Sequence, residues 1–195
     1  GEKRYALTND INISAGLRIE NHDGDYSDSN LVNESTSDTM IGGHLTATKQ
    51  YDENTMVYTR LSRGFKSGGA NGEALSKLNE PGLERYYNLL RENGSFDPEV
   101  LNNVELGMRY NNTDRGVKAS AVVFYSSRHD MQIKQWFTNE AEGRELGEQP
   151  EFVGYVSNTP NGANYGVETN IQYQVYILTQ TSWLYQDEIQ YQHLL

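Results

Sequence analysis

Four histidines, a surplus of carboxylates and no cysteine bound the chemistry open to this 195-residue chain. The histidines are His22, His44, His129 and His193. None falls at the His-x-x-x-His spacing that sets two imidazoles on one helical face for zinc. His129 and Asp130 are neighbours, but no third residue completes a metal set. No Gly-x-Ser-x-Gly turn presents a nucleophilic serine, and no phosphate-cradling loop is found. Without cysteine there is no thiolate nucleophile, no disulfide and no Cys-ligated zinc. Asp and Glu number 27, so a carboxylate pair for glycoside hydrolysis is available, yet nothing singles one out. Asp23, Asp25, Asp28 and Asp38 share a segment that offers oxygen ligands for calcium; a solvated acidic loop is the simpler account. Asn33-Glu34-Ser35 and Asn93-Gly94-Ser95 match glycosylation triplets. The residues therefore point to no catalytic site, metal or cofactor. The net charge of −11 repels a nucleic-acid backbone at long range, and no basic stripe offsets it.

What the chain does carry is alternation. Ile13, Ala15, Leu17 and Ile19 share one parity, with Ser14, Gly16, Arg18 and Glu20 on the other. Val104, Leu106, Met108 and Tyr110 alternate with Glu105, Gly107 and Arg109. Val117, Ala119, Ala121, Val123 and Tyr125 face one way. Tyr165, Val167, Thr169, Ile171, Tyr173, Val175 and Ile177 alternate with Gly166, Glu168, Asn170, Gln172 and Gln174. Period two places successive side chains on opposite faces of a strand. Eight strands are expected, near 3–8, 11–21, 39–49, 55–64, 102–111, 117–128, 164–176 and 181–192. Glu80 to Glu92 is the exception: Leu83, Tyr86, Tyr87 and Leu90 follow helical spacing and Pro81 suits an early helical position, which predicts one short helix inside a loop.

Short and long connections alternate. Asn9-Asp10, Tyr51 to Asn54, Asn112 to Gly116 and Leu178 to Gln180 read as tight turns. Between them lie long connections near 22–38, 65–101 and 129–163. An all-β, antiparallel up-and-down meander with these connections gathers every long loop at one rim, as membrane barrels do. Several strands run to 10–13 residues, nearer the 9–11 or so of a tilted membrane strand than the five or six usual in soluble proteins. No apolar run approaches the roughly 20 residues of a membrane helix. Alternation alone does not separate a lipid-facing apolar side from the inner side of a soluble extracellular β-sheet module for a ligand or carbohydrate, and both readings stand at this point.

Three stretches carry a family resemblance. Ala15-Gly16-Leu17-Arg18-Ile19-Glu20 resembles the "AGLRYE" strand of TonB-dependent outer-membrane receptors. Tyr58-Thr59-Arg60-Leu61-Ser62-Arg63-Gly64-Phe65-Lys66-Ser67-Gly68-Gly69 resembles their "Y…SRGFKSGG" strand and following loop. Phe96-Asp97-Pro98-Glu99 with Asn103-Val104-Glu105-Leu106-Gly107 resembles their "F-x-PE…N-x-ELG" run. Ser120 to Tyr125 and Tyr165-Gly166-Val167-Glu168 follow in the family's order, so the resemblance covers about residues 5–175.

The resemblance implies a single partial β-barrel domain over 1–195, an internal portion late in a barrel of about 22 strands. It implies an N-terminal plug elsewhere in the protein, and a terminus at His193-Leu194-Leu195 that is not the family's usual last strand. Eight strands suffice to close a small barrel or to lie as an open sheet, and open edges favour pairing with a second copy. In the barrel the apolar parity faces outer-membrane lipid. Arg18, Glu20, Glu105, Arg109, Lys118 and Glu168 become a lumen-facing wall. Gly42-Gly43, Gly107 and Gly166 within strands allow bends or close approach, a plain bulge being the simpler account of any one of them. Trp183, Tyr185, Tyr110 and Tyr125 become candidates for the interface girdles. The outer loops place Lys66, Tyr86, Tyr87, Trp136 and Phe137 as candidate contacts for a siderophore, a corrinoid or a saccharide. The implied activity is uptake of a scarce nutrient, such as a ferric siderophore, driven through an energy-coupling protein that touches the plug.

Overall fold

The alternating segments are strands in the computed structural model, which describes residues 1–80, 83–138, 152–178 and 184–194. In chain order these are β1 (Glu2–Ala6), β2 (Ile11–Ser27), β3 (Asn33–Gln50) and β4 (Thr55–Lys66). An excursion follows: β5 (Gly69–Ala70), α1 (Gly72–Ser76), a 3₁₀ turn (Glu84–Tyr86), α2 (Tyr87–Glu92) and β6 (Ser95–Phe96). Then come β7 (Glu99–Asn112), β8 (Val117–His129), β9 (Met131–Thr138), β10 (Phe152–Thr159), β11 (Gly162–Leu178) and β12 (Leu184–Leu194). Eight of them form one antiparallel sheet in the order β1-β2-β3-β4-β7-β8-β11-β12, an up-and-down meander. β5–β6 and β9–β10 are two separate two-stranded antiparallel sheets. β1 and β12 are the two ends of the eight-stranded sheet, which is open. Of the two closures the sequence left free, the small closed barrel is thus set aside in favour of the open sheet.

Register converts local alternation into two continuous faces. Ala15 pairs with Leu45, Leu45 with Leu61, Leu61 with Val104, Val104 with Tyr125, and Tyr125 with Tyr165. One turn down, Ile13, Ala47, Thr59, Leu106, Val123 and Val167 make the next such row. This face is uncovered: Leu106 is 63% exposed and Tyr165 75% exposed, and Leu17, Ile19, Ile171 and Tyr173 are exposed with them. A soluble sheet module requires that parity to be the buried one, since a contiguous apolar surface this wide is rare against water. The apolar run from Val117 to Tyr125 rises about 26 Å along the strand, or roughly 20 Å along a barrel axis at a 40° tilt. That is close to the lipid-facing band of about 25 Å typical of membrane barrels. Among the described residues no helix is long and apolar enough to cross a membrane.

The connections sort by rim as the alternation of lengths requires, but their contents differ from the expected loops. Residues 22–38 are mostly strand: β2 and β3 stay paired out to Ser27 and Asn33, leaving a connection of Asp28 to Val32. The apolar alternation stops near 21 because both faces of the extension are polar. Pairing continues through serine–aspartate rungs, Ser37 Oγ donating to Asp23 at 2.7 Å and Ser35 Oγ to Asp25 at 2.9 Å. The tip is folded by Asp28, whose Oδ1 accepts from the Asn30 and Val32 amides at 2.9 and 3.0 Å, with Leu31 at φ 62°. The calcium reading of this segment is corrected accordingly: Asp23 and Asp25 share a face, Asp38 opposite His22 lies on the other, and Asp28 closes the turn. No group of three such ligands is formed among the described residues.

Among its described residues the 65–101 connection holds two helical pieces rather than one, and the expected helix begins at Glu84. In the described part of the 129–163 connection, β9 and β10 pair antiparallel, from Met131 with Thr159 to Thr138 with Phe152. Pro81, Trp183 and the turn after Leu178 lie outside the described residues. Apart from Met40 on β3, the buried apolar residues among those described lie outside the eight-stranded sheet. Val32, Ala74, Leu75, Leu78, Leu90 and Val153 form a core cluster, backed by Tyr26, Ala70, Tyr86, Phe137 and Tyr155. These come from all three long connections, so the best-packed part of the chain is a cap on the loop rim.

Candidate functional site

The charged residues marked by parity do share one face of the sheet. Through the pairings Arg18–Gly42, Glu20–Met40, Glu105–Arg60, Arg109–Met56, Lys118–Gln172 and Glu168–Val122, all six lie opposite the apolar face. Arg18 and Glu20 are ion-paired, and the Arg18 guanidinium stands 5.2 Å from the Phe65 ring centroid. Glu105 Oε1 accepts from Asn103 Nδ2 at 2.5 Å, and Asn103 Oδ1 accepts from Ser126 Oγ at 2.6 Å. The Arg109 guanidinium lies 5.5 Å from the ring centroid of Tyr58. Lys118 and Glu168 are exposed. Towards the loops, Arg128 pairs with Glu99 at 3.3 Å. Such a face, hydrated and of mixed sign, is suited to line water and to contact a polar body, not to pack a dry core.

Glycines on the sheet receive rings from the next strand. His44 lies over Gly16 and Tyr58 over Gly107, each at its directly paired position. In the cap, Phe96 covers Gly69 and Trp136 covers Gly154 in the same way. A ring laid across a strand glycine restores the contact that the missing side chain forfeits.

The cap is held by side chains that bond to backbone. Asn71, 7% exposed, acts as a false strand: its Oδ1 accepts from the Val156 amide at 2.8 Å while its Nδ2 donates to the Val156 carbonyl at 2.6 Å and to Asn93 O at 2.8 Å. Glu73 Oε1 accepts from the Gly154 amide at 2.8 Å. Gln132 Nε2 donates to Ser67 O and Asp97 O, and its amide to Glu99. Asn158 accepts from the Asp97 amide at 2.7 Å and donates to Asp97 O and Asp130 O. Arg91 pairs with Glu34 at 3.0 Å, and Tyr26 donates to Asp28 and to Gly72 O. The three long connections are therefore cross-bonded to one another. Burial, reinforced by the Asp28 carboxylate, raises the Tyr26 phenol above its ordinary value. At the opposite rim the Asn54 amide, followed by bonds from Thr55, holds Asp52 below the usual carboxylate value, fixing the β3–β4 turn.

A strand arc with an uncovered apolar side, a charged side and a loop cap on one rim has relatives. A family profile described as TonB dependent receptor-like, beta-barrel matches residues 1–192. The chain belongs to the TonB-dependent receptor β-barrel family. A search of curated proteins gave no match. Among solved structures, it resembles the copper transporter OprC with a TM-score of 0.59 at 16% identity, over 89% of this chain and 26% of that one. It resembles the ferric yersiniabactin uptake receptor FyuA from Yersinia pestis with a TM-score of 0.56 at 20% identity, over 100% of this chain and 26% of that one. At these identities the likeness is one of fold. The chain spans about a quarter of the length of these proteins.

Within this TonB-dependent receptor barrel segment, the five loop candidates divide. Tyr86 and Phe137 are cap anchors: their ring centroids are 4.9 Å apart, Phe137 also meets Tyr155 at 6.4 Å, and both back the buried cluster. Tyr87 is exposed on α2, and Trp136 is exposed with Lys134 Nζ 4.0 Å from its ring centroid. Lys66 is exposed at the end of β4, on the charged face, with no partner among the described residues. The structure does not bring Lys66, Tyr87 and Trp136 together through any bond. Asn71, Glu73, Gln132 and Asn158, which assemble the cap, were not legible in the sequence. Asn and Gln in loops are common, and only the partner 61 to 85 residues away distinguishes them. The motif residues gave a partial signal. Gly68 has no room for a side chain, a Cβ falling 2.4 Å from Phe96 O, so the Ser67-Gly68-Gly69 and Phe96-Asp97 stretches are juxtaposed by necessity.

Proposed function

We propose that this chain is a length of wall and outer cap of an outer-membrane transporter that admits a bulky polar nutrient, a ferric siderophore being the leading class. In this reading the apolar rows face lipid, and Arg18, Glu20, Glu105, Arg109, Lys118 and Glu168 face the lumen, where a plug domain packs. Lys66, Tyr87 and Trp136 are ligand contacts on the outer side, and Tyr86 and Phe137 hold the surface that carries them. Transport draws on the inner-membrane proton gradient through a coupling protein that engages the plug.

One observation carries the reading: a band of exposed apolar rows on one face of the sheet, backed by a charged face, with all long connections on one rim. Family membership gives the class. The ferric yersiniabactin receptor and the copper transporter among the similar structures support a metal-complex cargo.

Uptake of radioactive iron tests it. Cells lacking the gene for the whole receptor should lose uptake of one ferric siderophore and recover it from a plasmid copy. A protonophore should stop uptake and leave binding to the cells intact. Unchanged uptake of every ferric siderophore offered would remove the iron assignment.

A further inference from the structure

The apolar face has one gap, at Gly43. No side chain fits there, because a Cβ would fall 2.3 Å from the Gly16 carbonyl oxygen. The gap opens a groove of about 500 Å³ walled by Leu17, Ile41, Leu45, Leu61, Val104 and Tyr125. Its loop-side end is polar: Arg63, Asn102 and Ser127 form the row next to Leu61, Val104 and Tyr125. The groove crosses β2, β3, β4, β7 and β8, which are all internal to the sheet, so more strands at either edge leave it unchanged.

Arg63 is the telling residue. It sits on the apolar parity and is exposed. Nε donates to Ile41 O at 3.1 Å and Nη1 to Asn102 Oδ1 at 3.4 Å, while no carboxylate pairs with it among the described residues. The acids further out on that face, Asp23 and Asp25, are bonded to Ser37 and Ser35. A cation on a lipid-facing strand is tolerated near the interface and costly at mid-depth, so Arg63 lies at the level of lipid headgroups. Its free guanidinium edge is a fork for the oxygens of a phosphate.

We propose that this groove holds one membrane lipid, its acyl chain along Leu45, Leu61 and Val104 and its phosphate on Arg63. The proposal rests on the membrane reading given above. The test uses the intact receptor in neutral detergent, with native mass spectrometry counting retained lipid. Dioctanoyl phosphatidic acid and the phosphate-free dioctanoylglycerol are titrated in parallel. One phosphatidic acid should bind at about tenfold lower concentration than dioctanoylglycerol, the size of one charge-assisted hydrogen bond. Arg63→Gln should abolish that preference, Arg63→Lys should retain part of it, and Val104→Trp should weaken both lipids by filling the groove. Heat-dependent gel mobility confirms that each variant keeps its barrel. An unchanged preference in Arg63→Gln, unchanged binding in Val104→Trp, or displacement of the lipid by equal inorganic phosphate would overturn the proposal. Failure of the membrane reading looks different: the receptor would stay soluble with no detergent present.

Discussion

Gly107 lies beneath Tyr58, and a Cβ at that position would come 2.3 Å from Cε1 of the ring. Tyr58 in turn faces the Arg109 guanidinium. Gly107→Val therefore displaces the ring and breaks its contact with Arg109, an overpacking that costs about 1–3 kcal/mol. Gly64 provides the control, since a Cβ there meets nothing within 4 Å, and Gly64→Ala should stay within about 0.5 kcal/mol. Urea unfolding of the intact receptor in detergent should show a lower midpoint for Gly107→Val and almost none of that shift for Gly64→Ala. Gly107 reads in the sequence as a glycine inside a strand, a sign of a bulge, a bend or a close approach. The approaching ring was not legible, because the 48 residues between Tyr58 and Gly107 contain the second of the three connections that build the cap. That the six charged residues share the face opposite the apolar rows was legible, since period two needs no knowledge of the partner strand.

Among the elements, the cap departs most from what patterning foretells. The three connections read as loops because their polar and apolar residues follow no single period, yet they form strands, helices and a buried core. Asn71 joins two of them by standing in for a strand at Val156. Asn71→Ala leaves the Val156 amide and carbonyl and the Asn93 carbonyl without partners in a buried place, at about 1–3 kcal/mol for each group left unsatisfied. Asn71→Asp retains an acceptor for the amide and loses both donated bonds. Hydrogen exchange should therefore speed up at Val156 and Gly94 in both variants, more in Asn71→Ala, while Val104 and Leu106 in the wall keep their protection. Faster exchange across the wall as well would mean that cap and sheet are one cooperative unit. The β2–β3 extension shows the other limit of patterning: rungs of Ser37–Asp23 and Ser35–Asp25 sustain pairing with no apolar side to mark it.

At the level of the whole molecule, the apolar rows and the two unpaired sheet edges set the behaviour of the 195-residue chain on its own. Apolar surface as contiguous as the rows from Ala15 to Tyr165 drives association in water, and β1 and β12 each present an edge for another chain. Detergent satisfies the first demand and leaves the second. Light scattering should then report large assemblies without detergent. In detergent it should report small, defined species, a dimer when edges pair and a monomer at high dilution. Tyr165, Leu106 and Leu17 should label readily with a water-soluble footprinting reagent only when detergent is absent and assembly is blocked by dilution. A stable monomer in plain buffer, with those three residues protected, would mean that the apolar parity folds inward. The register that joins Leu45, Leu61, Val104 and Tyr125 would then enclose a core instead of meeting lipid.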